Sequence, residues 1–144
     1  MKTEPGTFSI DDLARRKTEP WDGVRNYQAR NFLRAMRRGD AVLIYHSACA
    51  APGVVGIAKV ASAPKPDPTQ FNPASDHYDP TSQPADPRWT LVDVRFERKL
   101  KHPIPLDAIK ALAGLGDFAL TRRGNRLSVL PVSDAQWQTI LALE

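Results

Sequence analysis

The chain has 144 residues, a length that fits one domain, residues 1–144, with a hydrophobic core of its own. Its formal net charge is +4 and its pI is about 9.5, a mildly basic balance that suits a polyanionic partner without requiring one. A single cysteine, Cys49, excludes an internal disulfide and indicates a reducing compartment. No apolar run is long enough for a bilayer span or a secretory signal, so we expect a soluble cytoplasmic protein with no membrane partner. A monomer is favoured, and the sequence leaves the oligomeric state open.

The first predicted element is a short helix that begins at Ser9. Ser9 and Asp12 have the spacing of a capping box, in which side chains bond the unpaired amides of a helix's first turn. This helix is predicted to run through about Arg15.

Residues 21–36 predict a turn followed by an amphipathic helix. Gly23 permits the turn, since it lacks a Cβ and accepts backbone angles that other residues resist. The helix is predicted over residues 26–38, with Gly39 as its stop signal. Its apolar positions recur at helical spacing and should pack against a core: Ala29, Phe32, Leu33 and Met36.

The opposite face of this helix is basic. We predict that its arginines contact nucleic-acid phosphates, and a merely solvated basic face is the plainer alternative. The residues are Arg30, Arg34, Arg37 and Arg38.

The remaining predicted elements are short. Strands are predicted at residues 41–45, 54–60, 89–100 and 127–132, from apolar runs bounded by turn residues. In the third strand, Val92 and Val94 alternate with charged residues. Pro105 should open a helix that buries Ile109, and Ser133 should cap a C-terminal helix.

Residues 64–88 hold seven of the thirteen prolines, a composition for which a linker is the default interpretation. The segment also contains Phe71, His77 and Tyr78, which an inert spacer does not need. We therefore predict an ordered loop packed across the domain.

Motifs for catalysis are weak. His46, His77 and His102 lie far apart and lack metal-ligand spacing, so no metal or cofactor is expected. His46 and Cys49 are three residues apart and could pair as base and nucleophile, but no third residue orients them. A packed, inert thiol is the better interpretation of Cys49.

Long motifs in this chain resemble the EVE domain family, and the likeness covers essentially the whole sequence. They are KTEP at residues 2–5, FSIDDL at 8–13, WDGVRNYQARN at 21–31, YHS at 45–47 and HYDP at 77–80. The resemblance implies an α+β, PUA-like fold, a small mixed β-barrel of about five to six strands flanked by short helices. Two departures from the family pattern are expected to matter. The apolar pair that usually precedes the residue matching Met1 is absent from this sequence, so we expect a shortened first strand. Thr3 replaces the usual serine.

The resemblance also implies a pocket for a modified base. Stacking surfaces are expected from aromatic rings, base-edge hydrogen bonds from Asn26, Ser47 and the backbone near Lys2, and phosphate contacts from Arg25. The full set of expected ligand-binding residues is Lys2, Thr3, Glu4, Pro5, Trp21, Val24, Arg25, Asn26, Tyr45, His46, Ser47, Tyr78, Asp79 and Trp89.

These observations predict a non-enzymatic reader of a modified nucleobase. The expected partner is DNA or RNA carrying such a base, with 5-substituted cytosine as the first candidate. An enzyme or accessory factor acting on modified nucleosides is one alternative, and it requires a perturbed acid or base such as Glu4, His46 or Asp79. A protein-interaction module is another, and it requires a flat exposed apolar patch.

Overall fold

A curled mixed sheet forms the centre of the fold, and short helices cover it. The computed structural model describes residues 1–144. The strands are β1 (Lys2–Thr3), β2 (Thr18–Pro20), β3 (Ala41–His46), β4 (Gly53–Val60), β5 (Lys65–Pro66), β6 (Thr90–Leu91) and β7 (Asp93–Pro105). The helices are α1 (Ile10–Arg16), α2 (Tyr27–Ala35), α3 (Leu106–Lys110) and α4 (Asp134–Leu141), with 3-10 turns at Pro68–Phe71 and Ala119–Thr121. No helix is both long and apolar enough to cross a bilayer.

Five strands pair in the order β1-β3-β4-β7-β2, with β1 parallel to β3 and the other pairs antiparallel. The ladder shifts register inside β3 and twice along β4. Such bulges bend and twist a strand, which accounts for a sheet curled into a half-barrel. The predicted α+β class and small mixed barrel are thereby confirmed, and β1 and β2 are its two edges.

Both faces of this sheet are buried, and β3 shows why its sequence reads as one apolar run. Val42 and Ile44 point into a core that α1 and α2 cover. Leu43 and Tyr45 point into a second core, which also contains Ile140 from α4. Since successive side chains of a strand alternate between faces, two covered faces require apolar residues at every position.

The capped helices form where they were predicted. Ser9 and Asp12 close the capping box of α1, and Ser133 with Gln136 closes that of α4.

Helix α2 ends earlier than predicted, at Ala35, because Met36 already adopts an extended conformation. Gly39 instead occupies a turn with a φ of +94° and donates its N–H to the carbonyl of Val60 at 2.7 Å. The assignment of Arg37 and Arg38 to the basic helix face is therefore wrong, since both lie in the connection to β3.

Two strand predictions need correction. The run at 89–100 divides into β6 and β7, because Val92 leaves the ladder and accepts the N–H of Trp21 at 2.9 Å. No strand forms at 127–132, where the carbonyl of Ser128 accepts one bond from Lys2 at 2.8 Å and Pro131 has no N–H to donate. Val129 is nevertheless 1% exposed, so the apolar run serves burial without strand pairing.

The proline-rich segment 64–88 is an ordered loop, as predicted. Its centre is Gln70, which is fully buried. The amide of Gln70 donates to the carbonyls of Asp67 and Trp89 at 2.6 and 2.9 Å, and its oxygen accepts from Ser82 at 2.6 Å and from the N–H of Trp89 at 3.0 Å. One side chain thus satisfies backbone groups that would otherwise be buried without partners.

Candidate nucleic-acid interface

A cleft of about 330 Å³ lies where the two edges of the half-barrel approach each other. Strand β1 supplies one wall and β2 the other, because the curl of the sheet brings its edge strands together. We call it the seam pocket, and its lining residues are Lys2, Thr3, Thr7, Phe8, Glu19, Pro20, Trp21, Asp22 and His77. Of the residues predicted to bind a ligand, it contains Lys2, Thr3 and Trp21.

Trp21 is a core residue that also borders the seam pocket. Only 8% of it is exposed, and its ring meets Phe8 edge to face with centroids 6.1 Å apart. The sequence predicted that Trp21 contacts the ligand, and the structure leaves only a small part of its surface available for that contact. Its position is held by the backbone bond to Val92 and by aromatic packing, so the ring is a rigid wall with little free face.

Some polar groups of the seam pocket already have hydrogen-bond partners in the protein, and others have none. The hydroxyl of Thr3 donates to the carbonyl of Phe8 at 2.6 Å, and the carboxylate of Glu19 accepts from Arg16 at 2.8 Å. Burial lowers the pKa of Lys2. The carboxylate of Asp22 bonds no other group in the protein, and burial together with the nearby Asp67 raises its pKa.

His77 brings the long loop to the seam pocket. Gly23 makes room for the ring, since a Cβ at that position would lie 2.6 Å from His77 Nε2. Gly23 also has a φ of +79°, which residues with a Cβ rarely adopt. The sequence predicted Tyr78 of the same loop as a ligand residue, whereas Tyr78 is 41% exposed and outside the pocket.

Arg25 was expected to contact phosphates, and the structure shows it half-buried with its guanidinium bonded to other residues of the protein. Its guanidinium donates to the carbonyl of His77 at 3.0 and 2.8 Å, to Thr69 at 3.0 Å and to the carboxylate of Asp67 at 3.0 Å. Asp67 is fully buried and also accepts the N–H of Gly23 at 2.9 Å. Burial alone would raise the pKa of Asp67, but the hydrogen bonds from Thr69, Gly23 and Arg25 lower it. Arg25 therefore fastens the loop that carries His77.

Other predicted ligand residues on the first half of the chain also have structural roles. Asn26 caps α2 by accepting the N–H of Ala29 at 3.0 Å. His46 accepts the N–H of Ile10 on Nε2 at 3.0 Å, and burial lowers its pKa. The N–H of Ser47 donates to the carbonyl of Thr3 at 2.9 Å. Three further predicted residues lie outside the pocket: Glu4, Pro5 and Val24.

Tyr45 is also outside the seam pocket, because it points into the second core, on the other face of the sheet. Burial raises the pKa of its hydroxyl. Since alternate residues of a strand face opposite ways, its position in β3 excludes it from the side that carries Trp21.

Asp79 and Trp89 support the loop rather than the pocket. The indole N–H of Trp89 donates to the carboxylate of Asp79 at 2.7 Å, and the Trp89 ring stacks on Tyr27 with centroids 5.0 Å apart. Hydrogen bonds from Thr81 and Trp89 lower the pKa of Asp79 to about 2. A carboxylate held ionised in this way is not poised to act as a base near neutral pH.

A second cleft, of about 410 Å³, lies between α2 and the end of the loop. We call it the Arg30 cleft, and its main lining residues are Tyr27, Arg30, Arg34, Asp86 and Arg88. Arg30 donates to the carbonyl of Arg88 at 3.2 Å, and Arg34 donates to the hydroxyl of Thr90 at 2.9 Å. Neither Arg30 nor Arg34 has a carboxylate partner, so the cleft keeps uncompensated positive charge.

Six pocket residues were not among the predicted ligand residues. They are Thr7, Phe8, Glu19, Pro20, Asp22 and His77. Phe8, Asp22 and His77 lie inside the motifs quoted above, but the sequence did not indicate that they line the pocket. Glu19 and Pro20 carry no motif, so no local signal could have identified them.

No cluster of three or more metal-ligating side chains is present. The chemistry of the seam pocket is that of a binding site, with aromatic and apolar walls, two carboxylates, hydroxyls and one ammonium group. Such a combination suits a flat, polar-edged ligand such as a nucleobase.

Comparison with known proteins identifies the class. The EVE domain family model matches residues 1–143, and the chain belongs to this family. Mouse thymocyte nuclear protein 1 is 45% identical over 163 aligned residues, which cover 100% of this chain and 72% of the mouse protein. The human protein of the same name is 43% identical with the same coverage.

Solved structures agree with this assignment. A Pseudomonas putida protein superposes with a TM-score of 0.96 at 46% identity, covering 99% of this chain and 96% of the other. The crystal structure of human THYN1 protein in complex with 5-methylcytosine-containing DNA superposes with a TM-score of 0.93 at 41% identity, covering 99% and 94%. The PUA-like fold is therefore shared, and one relative of this fold binds DNA that carries a modified base.

Proposed function

We propose that this chain binds DNA containing a 5-substituted cytosine, holds that base in the seam pocket and leaves it chemically unchanged. The observation that carries the proposal is the pocket itself, in which a carboxylate without a hydrogen-bond partner in the protein stands beside aromatic and apolar walls. The human relative in complex with 5-methylcytosine-containing DNA supports the choice of ligand.

The polar groups of the pocket match the edge of cytosine. Its exocyclic amino group is a donor, which a carboxylate accepts well, and Asp22 is the carboxylate without a partner. Cytosine also presents two acceptors, N3 and O2, and Lys2 and Thr7 are donors in the same pocket. The base would lie against the wall formed by Phe8 and Trp21.

Selectivity for the 5-substituent would come from apolar contact. One extra methyl group in a hydrophobic pocket is worth about 1–3 kcal/mol, or roughly 10- to 200-fold in affinity. Phe8, Pro20 and Trp21 supply apolar surface in the seam pocket, whereas an unsubstituted cytosine would leave part of it unfilled.

Phosphate contacts would come from the Arg30 cleft. Arg30 and Arg34 keep the role predicted from the sequence, and Arg88 joins them because the loop returns beside α2. Arg37 and Arg38 lie outside this cleft.

The two alternatives have less support. Of the acid–base candidates, Glu4 is exposed, His46 bonds the backbone of α1, and the pKa of Asp79 is lowered to about 2. The large exposed apolar side chains number three, Tyr27, Tyr78 and Leu143, and they come from separate segments of the chain.

Asp22→Asn tests the proposal, with Asp107→Asn on the distant helix α3 as the matched control. Affinities are measured for oligonucleotides that differ only in one cytosine or 5-methylcytosine. Because a charge-assisted bond to the amino group is lost, Asp22→Asn should weaken binding of the methylated DNA about tenfold, and Asp107→Asn should not. Asp22→Asn should keep full stability, since it removes repulsion from Asp67.

Equal affinity of the wild-type protein for the two oligonucleotides contradicts the proposal, and so does unchanged binding by Asp22→Asn. The absence of a reaction is checked separately. DNA recovered after incubation with the protein is digested to nucleosides, and its 5-methylcytosine content should be unchanged.

A further inference from the structure

Helix α2 presents a polar ridge to solvent. Ala29 and Leu33 are fully buried, and at 100° per residue they set the inward direction of the helix. Tyr27, Gln28 and Asn31 are exposed and lie on the opposite side. The nine-residue helix therefore buries one side in the core. On its outer side Tyr27 stacks on Trp89 but stays exposed, and this side carries hydrogen-bonding groups.

Basic clefts lie along both flanks of this ridge. The Arg30 cleft occupies one flank, since Arg30 and Arg34 project to that side. A cleft of about 570 Å³ occupies the other flank and is bounded by Gln28 and Phe32 of α2. We call it the Arg126 cleft, and its charged residues are Asp117, Arg122, Arg123 and Arg126.

Each cleft holds two arginines whose charge the protein does not neutralise. In the Arg126 cleft, Arg122 is paired with Asp117 at 2.8 Å, whereas Arg123 and Arg126 take part in no ion pair or hydrogen bond. In the Arg30 cleft, Arg30 and Arg34 bond only neutral oxygens. Arg34 and Arg88 lower the pKa of Arg30, although burial is the larger cause. Positive charge confined in this way favours an anion between the arginines.

The width of α2 suits the major groove of a double helix. A helix with its side chains is about 10–12 Å across, and the major groove of B-form DNA is about 12 Å wide. Flanking a helix in that groove are two rows of phosphates, one from each strand. The two arginine clefts stand in the corresponding positions on either side of α2.

We propose that α2 lies in the major groove of duplex DNA, with the Arg30 cleft on one phosphate backbone and the Arg126 cleft on the other. The proposal rests on the proposed function only in taking DNA as the ligand, and it names duplex B-form DNA as the partner. A short stretch of chain connects the seam pocket to this surface, since Asp22 is four residues before the α2 cap at Asn26. The β1 wall of the seam pocket is bonded to the segment that carries Arg126, because the backbone N–H of Lys2 donates to the carbonyl of Ser128.

Gln28→Glu is the most diagnostic single variant. Gln28 is exposed, makes no side-chain hydrogen bond and lies in the first turn of α2, where a carboxylate is favourable for the helix. The variant should therefore fold at least as well as the wild type. In the groove, however, the new charge faces phosphates on both sides, and duplex affinity should fall about tenfold.

The double variant Arg123→Gln, Arg126→Gln tests the second backbone contact. The plot of log affinity against log salt concentration should become shallower by about 1.8, because two phosphate contacts are lost. The matched control is Lys101→Gln, Lys110→Gln, which removes two exposed charges that line neither cleft and should leave the slope unchanged.

The measurement compares duplex DNA, its single strands and a duplex RNA of the same sequence, each in cytosine and 5-methylcytosine forms. Tighter binding of duplex DNA, together with the losses above, supports the proposal. The deep, narrow major groove of RNA should exclude α2, so the RNA duplex should bind weakly.

Equal binding of single strands or RNA, or an unchanged slope in the double arginine variant, would overturn the groove placement. A preference for 5-methylcytosine would then still stand for the seam pocket. Conversely, duplex binding that responds to Gln28→Glu but ignores the methyl group supports the groove placement and contradicts the proposed function.

Discussion

Asp67→Asn should strongly destabilise the protein, because Asp67 is the buried anchor of the long loop. Its carboxylate is fully buried and accepts four hydrogen bonds, from the N–H of Gly23, the guanidinium of Arg25, and the N–H and hydroxyl of Thr69. An amide has one acceptor oxygen, so its NH₂ group would face donors, and Arg25 would lose its counter-charge.

The expected cost is about 3 kcal/mol of unfolding free energy. Breaking a buried ion pair by removing one partner costs about 3–5 kcal/mol, and the lower end applies because the Arg25 side chain is 21% exposed and water can reach it. For a chain of this length, the melting temperature should fall by about 10 °C. Since Arg25 also holds the carbonyl of His77, binding at the seam pocket should weaken as well.

Urea unfolding at neutral pH measures this cost, with Asp86→Asn as the control. Asp86 is in the same loop, is exposed and makes no side-chain hydrogen bond. The reasoning is refuted if Asp67→Asn is within about 0.5 kcal/mol of the wild type, the range usual for surface substitutions.

Two further predictions concern Gly23 and His46. Gly23→Ala should cost about 1–2 kcal/mol of unfolding free energy in urea and weaken DNA binding, because it strains a positive φ and displaces His77. The control Gly39→Ala strains a similar positive φ but has open space around it, so it should leave binding intact. Unfolding free energy should fall as pH drops from about 7 through the lowered pKa of His46, because the unfolded chain takes up that proton first and protonation removes the acceptor for Ile10. His46→Gln should flatten this dependence over pH 7.5 to 5.5 (about the range of an ordinary histidine). Equal binding losses in the two glycine variants, or identical pH profiles of the wild type and His46→Gln, contradict these accounts.

Several elements were predictable because their signals are local. The capping box at Ser9 acts within three residues, and the spacing of Ala29 and Leu33 marks the buried side of α2 whatever it packs against. The apolar run of β3 predicted a buried strand for the same reason. The motifs quoted from the sequence predicted the family, which the comparison confirmed.

The failures have a common physical cause, which is that a buried polar group takes whichever partner the fold brings near it. Arg25 lies in a motif that predicted a ligand contact. Its guanidinium instead donates to Asp67 and to the carbonyl of His77, which lie more than forty residues away in the sequence. Asn26 caps the N-terminus of α2. In the segment 127–132, which was predicted to be a strand, Ser128 accepts one backbone hydrogen bond from Lys2 of β1 and no strand pairing forms.

The amino-acid sequence by itself determined the capped helices, the two-sided burial of the central strand and the family, because these depend on neighbours along the chain. Only the tertiary structure decided which residues form the seam pocket. Bulges in β3 and β4 curl the sheet until β1 and β2 face each other, and Gly23 admits His77 from the loop. The pocket residues come from segments that are separated in the sequence and follow no common spacing. They meet because the curled sheet brings its two edge strands, β1 and β2, close together.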